Sequence, residues 1–442
     1  MLKSLAAVLA AVQLGVALPA AAQPLSPPAA VSTPFDVAAR GAAVQAAAKA
    51  LRDRYVYPEV GARAAAKIEA NLAAGAYDGL TDRVAFADRL TADLAEIAHD
   101  KHMRVTADGS PPPPGVAMMG PRPRSEFGVV RADRLAGGAG YLEVVGFPPL
   151  EAFRQSVDRA MAALAGSSAI IVDLRRNGGG NPASVAYLAS YFFDGAKPVH
   201  LNDLIWRNAG SNTFRTETFY TAPTPASFAK APVYLLTSAS TFSGGEEFLY
   251  DLQTQKRAVL VGEVTGGGAN PGGVQPLGPG LRVFMPAGRA ENPITRTSWE
   301  GRGVTPDVAV PRADALRVAL QKLGQSPAAG DIETLSKARV FAPHTSPSPA
   351  ADAAARRLVD EAATQKFRYD LMSSQAAEAV RNHAPTLASQ FSGWGAVQSV
   401  TFREVGPEGA DVYDVKLANG AARPILILAA DGKVLLVDLR PA

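Results

Sequence analysis

From Phe127 to Val310 the chain alternates short β-rich runs with helical stretches, and this pattern constrains its fold more than any other feature. The strand-like runs are Phe127–Val130, Gly140–Phe147, Ala169–Leu174, Val233–Thr237, Ala258–Gly262 and Arg282–Met285, with helices expected over Leu150–Leu164 and Gly244–Gln255 between them. Such alternation implies an α/β core, because neighbouring parallel strands need a crossover that a helix supplies. The core is expected over 125–325. A chain of 442 residues exceeds one ordinary core, and the flanks read differently. Before the core the texture is helical: Thr81 is a candidate N-cap, after which Val84, Ala87, Leu90, Leu94 and Ile97 recur at helical spacing. A helical domain is expected over 35–104. The Pro-rich stretch Gly109–Arg124 fits only a loop. A Pro/Ser/Ala-rich linker is expected over 326–350. Beyond it, helices over Ala351–Ala363 and Ser374–Phe391 precede four strand-like runs, the last three joined by Asn419-Gly420 and Asp431-Gly432. This makes 351–442 an α+β module, with a shape that suggests a cystatin-like curled sheet.

Composition removes several classes of function. The formal net charge is +3, and no basic patch interleaved with aromatics appears, so a nucleic-acid partner is not expected. There is no cysteine, which rules out disulfides, a lipidated N-terminus, thiol nucleophiles and cysteine metal sites. Lys3, the apolar run Leu5–Leu18 and Ala20-Ala21-Ala22 read as a signal peptide over 1–22 with cleavage before Gln23. That run is shorter than the ~20 residues that span a bilayer, so no membrane anchor is expected and the mature protein is expected to be periplasmic or secreted.

Four segments carry candidate chemistry. In Thr237-Ser238-Ala239-Ser240-Thr241-Phe242-Ser243-Gly244-Gly245-Glu246-Glu247, Ser243 sits where a strand passes through a loop into a helix. A hydroxyl there meets the free N–H groups of the first helical turn, which can hold an oxyanion while the hydroxyl attacks a carbonyl. The same residues spell a capping box, Ser243 with Glu246, which needs no chemistry at all; the two readings are compatible. The segment is not the G-x-S-x-G elbow, since Thr241 stands at the first glycine. In the second segment, the apolar run Ile170-Ile171-Val172 leads into Asp173-Leu174-Arg175-Arg176-Asn177-Gly178-Gly179-Gly180, a Gly-rich turn whose N–H groups suit an oxyanion hole; Asn181-Pro182 follow where a phosphate loop needs Lys-Ser/Thr. The third is Asp100-Lys101-His102, which offers a histidine as general base. His99 and His102 have no matching third ligand, so no metal is expected. The fourth is Glu300 in the Gly-rich loop Trp299–Asp307.

Taken in order, these segments resemble the tail-specific, or C-terminal processing, serine peptidase family over roughly Val44 to Pro311. Asp173–Gly180 resembles its D-L-R-x-N-x-G-G turn, Thr237–Glu246 its T-S-x-x-T-x-S-x-x-E nucleophile segment, Val261–Thr265 its V-G-E-x-T, and Gly301–Asp307 its G-x-G-V-x-P-D ending. Members with a Ser-Lys dyad carry a lysine where Gly268 stands, and many insert a PDZ domain for which Val105–Glu126 is too short. The chain is more similar to the branch of the tricorn protease core and interphotoreceptor retinoid-binding protein, with a D-x-H segment matched by Asp100–His102; Lys101 replaces tricorn's serine. The resemblance implies a core of crotonase-like βα units and a secreted serine endopeptidase without a cofactor, acting on peptides or proteins. In it Ser243 is nucleophile, His102 base, Glu300 the supporting carboxylate, and the backbone N–H groups of Gly179 and Gly244 the oxyanion hole. The alternatives are a binding protein for an apolar ligand on the same fold, or an esterase.

Overall fold

The computed structural model describes residues 35–108, 110, 125–325, 344–406, 409–429 and 431–441. The expected signal peptide, nearly all of the Pro-rich loop and residues 326–343 of the expected linker lie outside these. The described elements, in chain order, begin with helices α1 (Val37–Arg54), α2 (Pro58–Ala73) and α3 (Arg83–Ala98) and strand β1 (Arg104–Ala107). The core contains β2 (Val129–Arg134), β3 (Gly140–Val144), α4 (Leu150–Ala163), β4 (Ile170–Asp173), α5 (Pro182–Ser190), β5 (His200–Arg207), β6 (Phe214–Tyr220), β7 (Val233–Thr237), α6 (Gly244–Thr254), β8 (Val259–Gly262), β9 (Gly272–Gly278), β10 (Leu281–Pro286), β11 (Gly288–Glu291), β12 (Val308–Ala309) and α7 (Ala315–Lys322). The C-terminal part contains α8 (Ala351–Thr364), α9 (Ser374–Phe391) and β13 to β16 (Val397–Val405, Asp411–Leu417, Gly420–Leu428, Val434–Pro441).

The central sheet has the order β12-β8-β7-β4-β3-β2, parallel except for the β3–β2 pair. Its inner strands β4, β7 and β8 are apolar on both faces. Val172, Leu235 and Leu260 pack under α4, α5 and α6, while Ile171, Leu236 and Val261 face Ala315, Leu316, Ala319 and Leu320 of α7. Period-2 alternation thus serves two cores at once. The turns after β4, β7 and β8 all leave the carboxyl edge of this sheet, where open α/β sheets place ligands.

Arg282–Met285, expected with the core strands, lies instead in β10 of a separate antiparallel sheet, β1-β10-β9. Leu281, Val283 and Met285 alternate onto one face, where they complete the core of α1, α2 and α3. A strand with one buried face pairs antiparallel and caps a helical layer, so the N-terminal helices do not close their core alone. The N-cap of α3 is Asp82, whose carboxylate accepts the Ala85 N–H at 2.8 Å, rather than Thr81. The β5–β6 hairpin, paired with β11, had no sequence signal because all but one residue of β6 are exposed. The C-terminal helices pack on a four-stranded antiparallel sheet in the order β13-β14-β15-β16.

Candidate active site

Ser243 is the N-cap of α6, with φ +53° and ψ −124°. A non-glycine residue there is strained by roughly 1–3 kcal/mol and persists only where its surroundings over-determine it. They do so here. The Ser238 hydroxyl donates to Arg175 O at 2.6 Å, the Thr241 hydroxyl to Leu174 O at 2.8 Å, and Phe242 N–H to Asn177 O at 3.0 Å. The serines and threonines of the nucleophile segment therefore knit it onto the Asp173–Gly180 turn. Gly179 packs directly beneath: a Cβ on it would lie 2.7 Å from Ser243 Cβ and 2.8 Å from Gly244 N, and its φ is +96°. Without the G-x-S-x-G spelling, the backbone still makes a sharp strand-to-helix turn that presents a serine.

The capping box forms, and its carboxylate does more than cap. Fully buried Glu246 accepts from Ser243 N–H (2.9 Å), Gly268 N–H (2.8 Å), Gly267 N–H (2.6 Å) and the Thr265 hydroxyl (2.5 Å). Burial pushes its pKa up to about 7, and these four donors pull the other way. One side chain thus joins the nucleophile turn to the Thr265–Gly268 loop, a link the S-x-x-E pattern did not suggest.

One expected oxyanion donor changes. The Gly179 N–H donates to Asn177 Oδ1 at 2.8 Å, an Asx turn that Asn177 makes with its own loop, so it is not free for a substrate. Neither Gly180 N–H nor Gly244 N–H has an acceptor among the described residues. The two groups adjoin, since a Cβ on Gly244 would lie 3.1 Å from Gly180 N. Gly180, Ser243 and Gly244 line one small pocket, walled by Leu204, Ala269, Pro271 and Ala290.

His102 reaches this region from the N-terminal part. Its ring lies between Phe242 (centroids 4.6 Å apart) and Phe284 (5.5 Å). Asp100 shapes its backbone by accepting His102 N–H at 3.0 Å, and is itself held by Asn270 Nδ2 at 2.8 Å and the Tyr55 hydroxyl at 3.3 Å. Glu300 accepts from Ala269 N–H through Oε2. Among the described residues, three buried atoms of this cluster have no partner: His102 Nδ1, Glu300 Oε1 and Asn270 Oδ1. The acceptor-type atoms of Asp100, His102 and Glu300 gather within 4.8 Å of one another. Burial lowers the His102 pKa to about 4, while burial and the Asp100 charge raise that of Glu300 to about 7. The three residues also have metal-ligand chemistry. Asp100, however, is committed to Tyr55, Asn270 and the backbone, which leaves two open donors where zinc sites use three or more protein ligands.

Lys101 is exposed and turned elsewhere, with Nζ donating to Gly266 O at 2.6 Å. Gly268 faces His102: a Cβ there would lie 2.7 Å from His102 Cε1 and 2.3 Å from Phe242 Cζ. The imidazole thus occupies the space a side chain at 268 would enter. The Trp299 indole N–H donates to Gly268 O at 2.8 Å and fixes this loop from behind. Sequence reasoning missed Tyr55, Asn270, Phe284 and Trp299 as parts of the site. It also missed a cleft of about 1120 Å³ that shares Gly180, Pro182, Leu204 and Pro271 with the small pocket.

Comparison with known proteins bears on this geometry. Residues 138–310 match the model of peptidase family S41, and 37–126 match that of the N-terminal domain of peptidase S41 in eukaryotic IRBP. The chain is 27% identical over 194 residues to carboxyl-terminal-processing peptidase 2, chloroplastic, of Arabidopsis thaliana; the match spans 41% of this chain and 35% of that protein. Among solved structures it is similar to the photosystem II D1 C-terminal processing protease (17% identity, TM-score 0.41, 62% of this chain and 93% of that one). It is also similar to the tricorn protease (15% identity, TM-score 0.38, 67% of this chain and 37% of that one). With two adjoining family matches that together take in more than half of its residues, the chain belongs to peptidase family S41.

Proposed function

We propose that this protein is a serine peptidase that hydrolyses peptide bonds through an acyl-enzyme on Ser243, with His102 as base. The observation that carries the reading is the strained serine beside two unoccupied backbone N–H groups, Gly180 and Gly244. Ser243 Oγ attacks the scissile carbonyl while the His102 ring takes its proton. The oxyanion is held by the two N–H groups at the positive end of α6, and His102 then protonates the leaving amine. Because Nδ1 is the buried ring nitrogen, Nε2 is the one assigned to Ser243. Glu300 Oε1 is the natural acceptor for Nδ1–H, and a small closure on substrate binding would pair the two atoms. Catalytic hydrogen bonds are commonly long before substrate arrives.

The mixed charges of the large cleft, Arg54, Arg215, Glu217 and Glu378, suit a polypeptide better than an apolar ligand. The reading extends to trimming of C-terminal tails after export, which the signal-like N-terminus and the name of the Arabidopsis relative support. The test is a fluorophosphonate probe on the purified protein, followed by a peptide-library digest. Label on Ser243 with peptide cleavage is expected. An unlabelled folded protein refutes the nucleophile, and label without peptide cleavage refutes the peptidase.

A further inference from the structure

The large cleft has two walls of different origin. The inner wall is the core. It exposes backbone at Gly178–Gly180 and Gly272–Gly273, with Trp206 beside them. Glycine-floored surfaces let another chain approach closely enough to use main-chain hydrogen bonds. The outer wall belongs to the C-terminal part: Ser374, Glu378 and Asn382 of α9, with Ile427 of β15 and Leu436 of β16. The three α9 residues are spaced i, i+4, i+8, so they share one helical face. All three are exposed. A hydroxyl, a carboxylate and a carboxamide in a row face a strip of bare backbone.

This wall is fixed to the core. Ile427 and Leu435 form an apolar cluster with Ala152 of α4, and Phe127 packs against it. His344 Nε2 lies 3.0 Å from Asp411 at the start of β14, and its ring lies 6.3 Å from that of Phe127. The cleft runs on to the nucleophile, because Gly180, Pro182, Leu204 and Pro271 line both it and the Ser243 pocket.

We propose that the C-terminal module is the outer wall of the substrate channel, and that the Ser374–Glu378–Asn382 face of α9 holds an unfolded, extended polypeptide segment leading to Ser243. The inference rests on the peptidase reading and gives it a substrate class: chains that can enter a slot as a single extended strand. The three polar side chains hydrogen-bond the main chain of the bound segment from one side while core backbone does so from the other. Such recognition tolerates varied side chains and rejects folded domains.

The test measures binding apart from catalysis. Fluorescein-labelled β-casein, an unfolded polypeptide, is titrated with the full chain carrying Ser243→Ala, and its Kd is read by anisotropy. Adding Glu378→Trp or Asn382→Trp, which fill the slot, should raise Kd at least 10-fold. Adding Ala379→Trp, exposed on the same helix but one position round it, should change Kd less than twofold. Thermal melts check that each variant is folded. Unchanged casein binding in both slot-filling variants, or equal weakening by Ala379→Trp, overturns the proposal. Fluorophosphonate labelling of the unmutated chain is scored separately, so a failure of the nucleophile is told apart from a failure of the channel.

Discussion

The two halves of the site are built to different standards. Around Ser243 the turn is pinned by hydrogen bonds: Ser238, Thr241 and Phe242 bond to the Asp173–Gly180 turn, and Glu246 gathers four donors. Around His102 the backbone is held by Asp100, yet the ring nitrogen Nδ1 and the Glu300 oxygen that should meet it are both orphaned. A nucleophile in a strained conformation must be rigid, whereas a base has to move a proton. Unpaired buried polar atoms cost about 1–3 kcal/mol each, so the base side holds free energy that closure around a substrate would release.

Several substitutions test that contrast. The largest effect belongs to Ser243→Ala, for which peptide hydrolysis should fall by roughly 10⁴-fold or more, with little further loss when His102→Ala is added, because the two act as a unit. Glu300→Gln comes next. In the unmutated protein the His102 ring is already neutral above about pH 4, and the Glu300 carboxyl gives up its proton only near pH 7. Below that pH no carboxylate is available to orient the imidazole, so kcat/KM should rise through pH ~7. Removing the titrating acid should abolish this limb and lower the plateau by about 10²–10⁴-fold. A Glu300→Gln profile unchanged in both limb and plateau contradicts the pairing.

Gly268→Ala should cost about 10- to 100-fold in kcat while the protein stays folded, since the methyl meets His102 and Phe242 rather than backbone. Overpacking of this kind costs ~1–3 kcal/mol of stability, measurable by thermal melting. Glu246→Gln probes the rigid half. The carboxamide cannot accept from four donors with both ends, so Tm should drop by the equivalent of ~1–3 kcal/mol and fluorophosphonate labelling of Ser243 should slow with it. An unchanged Tm would show that Glu246 is not what holds the turn.

Much of the rigid half was legible in the sequence, because its parts are local. Ser243 at a strand–helix junction, the three glycines after Asp173 and the S-x-x-E spacing are all readable within a few residues. The choice of Gly180 over Gly179 hangs on the side chain of Asn177 two residues earlier, which turns back onto its own loop. The His102 half was legible only through family resemblance. Asp100 meets Tyr55 across 45 residues of sequence and Asn270 across 170, and no periodicity or turn signal spans such separations. The helical N-terminal part was recognisable by its spacing, but the sheet that closes its core comes from Gly272–Pro286, placed there by long-range pairing with β1. The β5–β6 hairpin was hidden because exposed strands lack an apolar period.

The central claim is that the proton of Ser243 goes to His102 and not to a lysine. Gly268 leaves no lysine in the dyad position, and Lys101 bonds to Gly266 O. Steady-state peptide hydrolysis by His102→Ala and Lys101→Ala, both checked for folding, tests this directly. The account predicts at least a ~100-fold loss in kcat for His102→Ala and less than about tenfold for Lys101→Ala, whose exposed cation contributes little. Near-full activity in His102→Ala together with an inactive Lys101→Ala would contradict it.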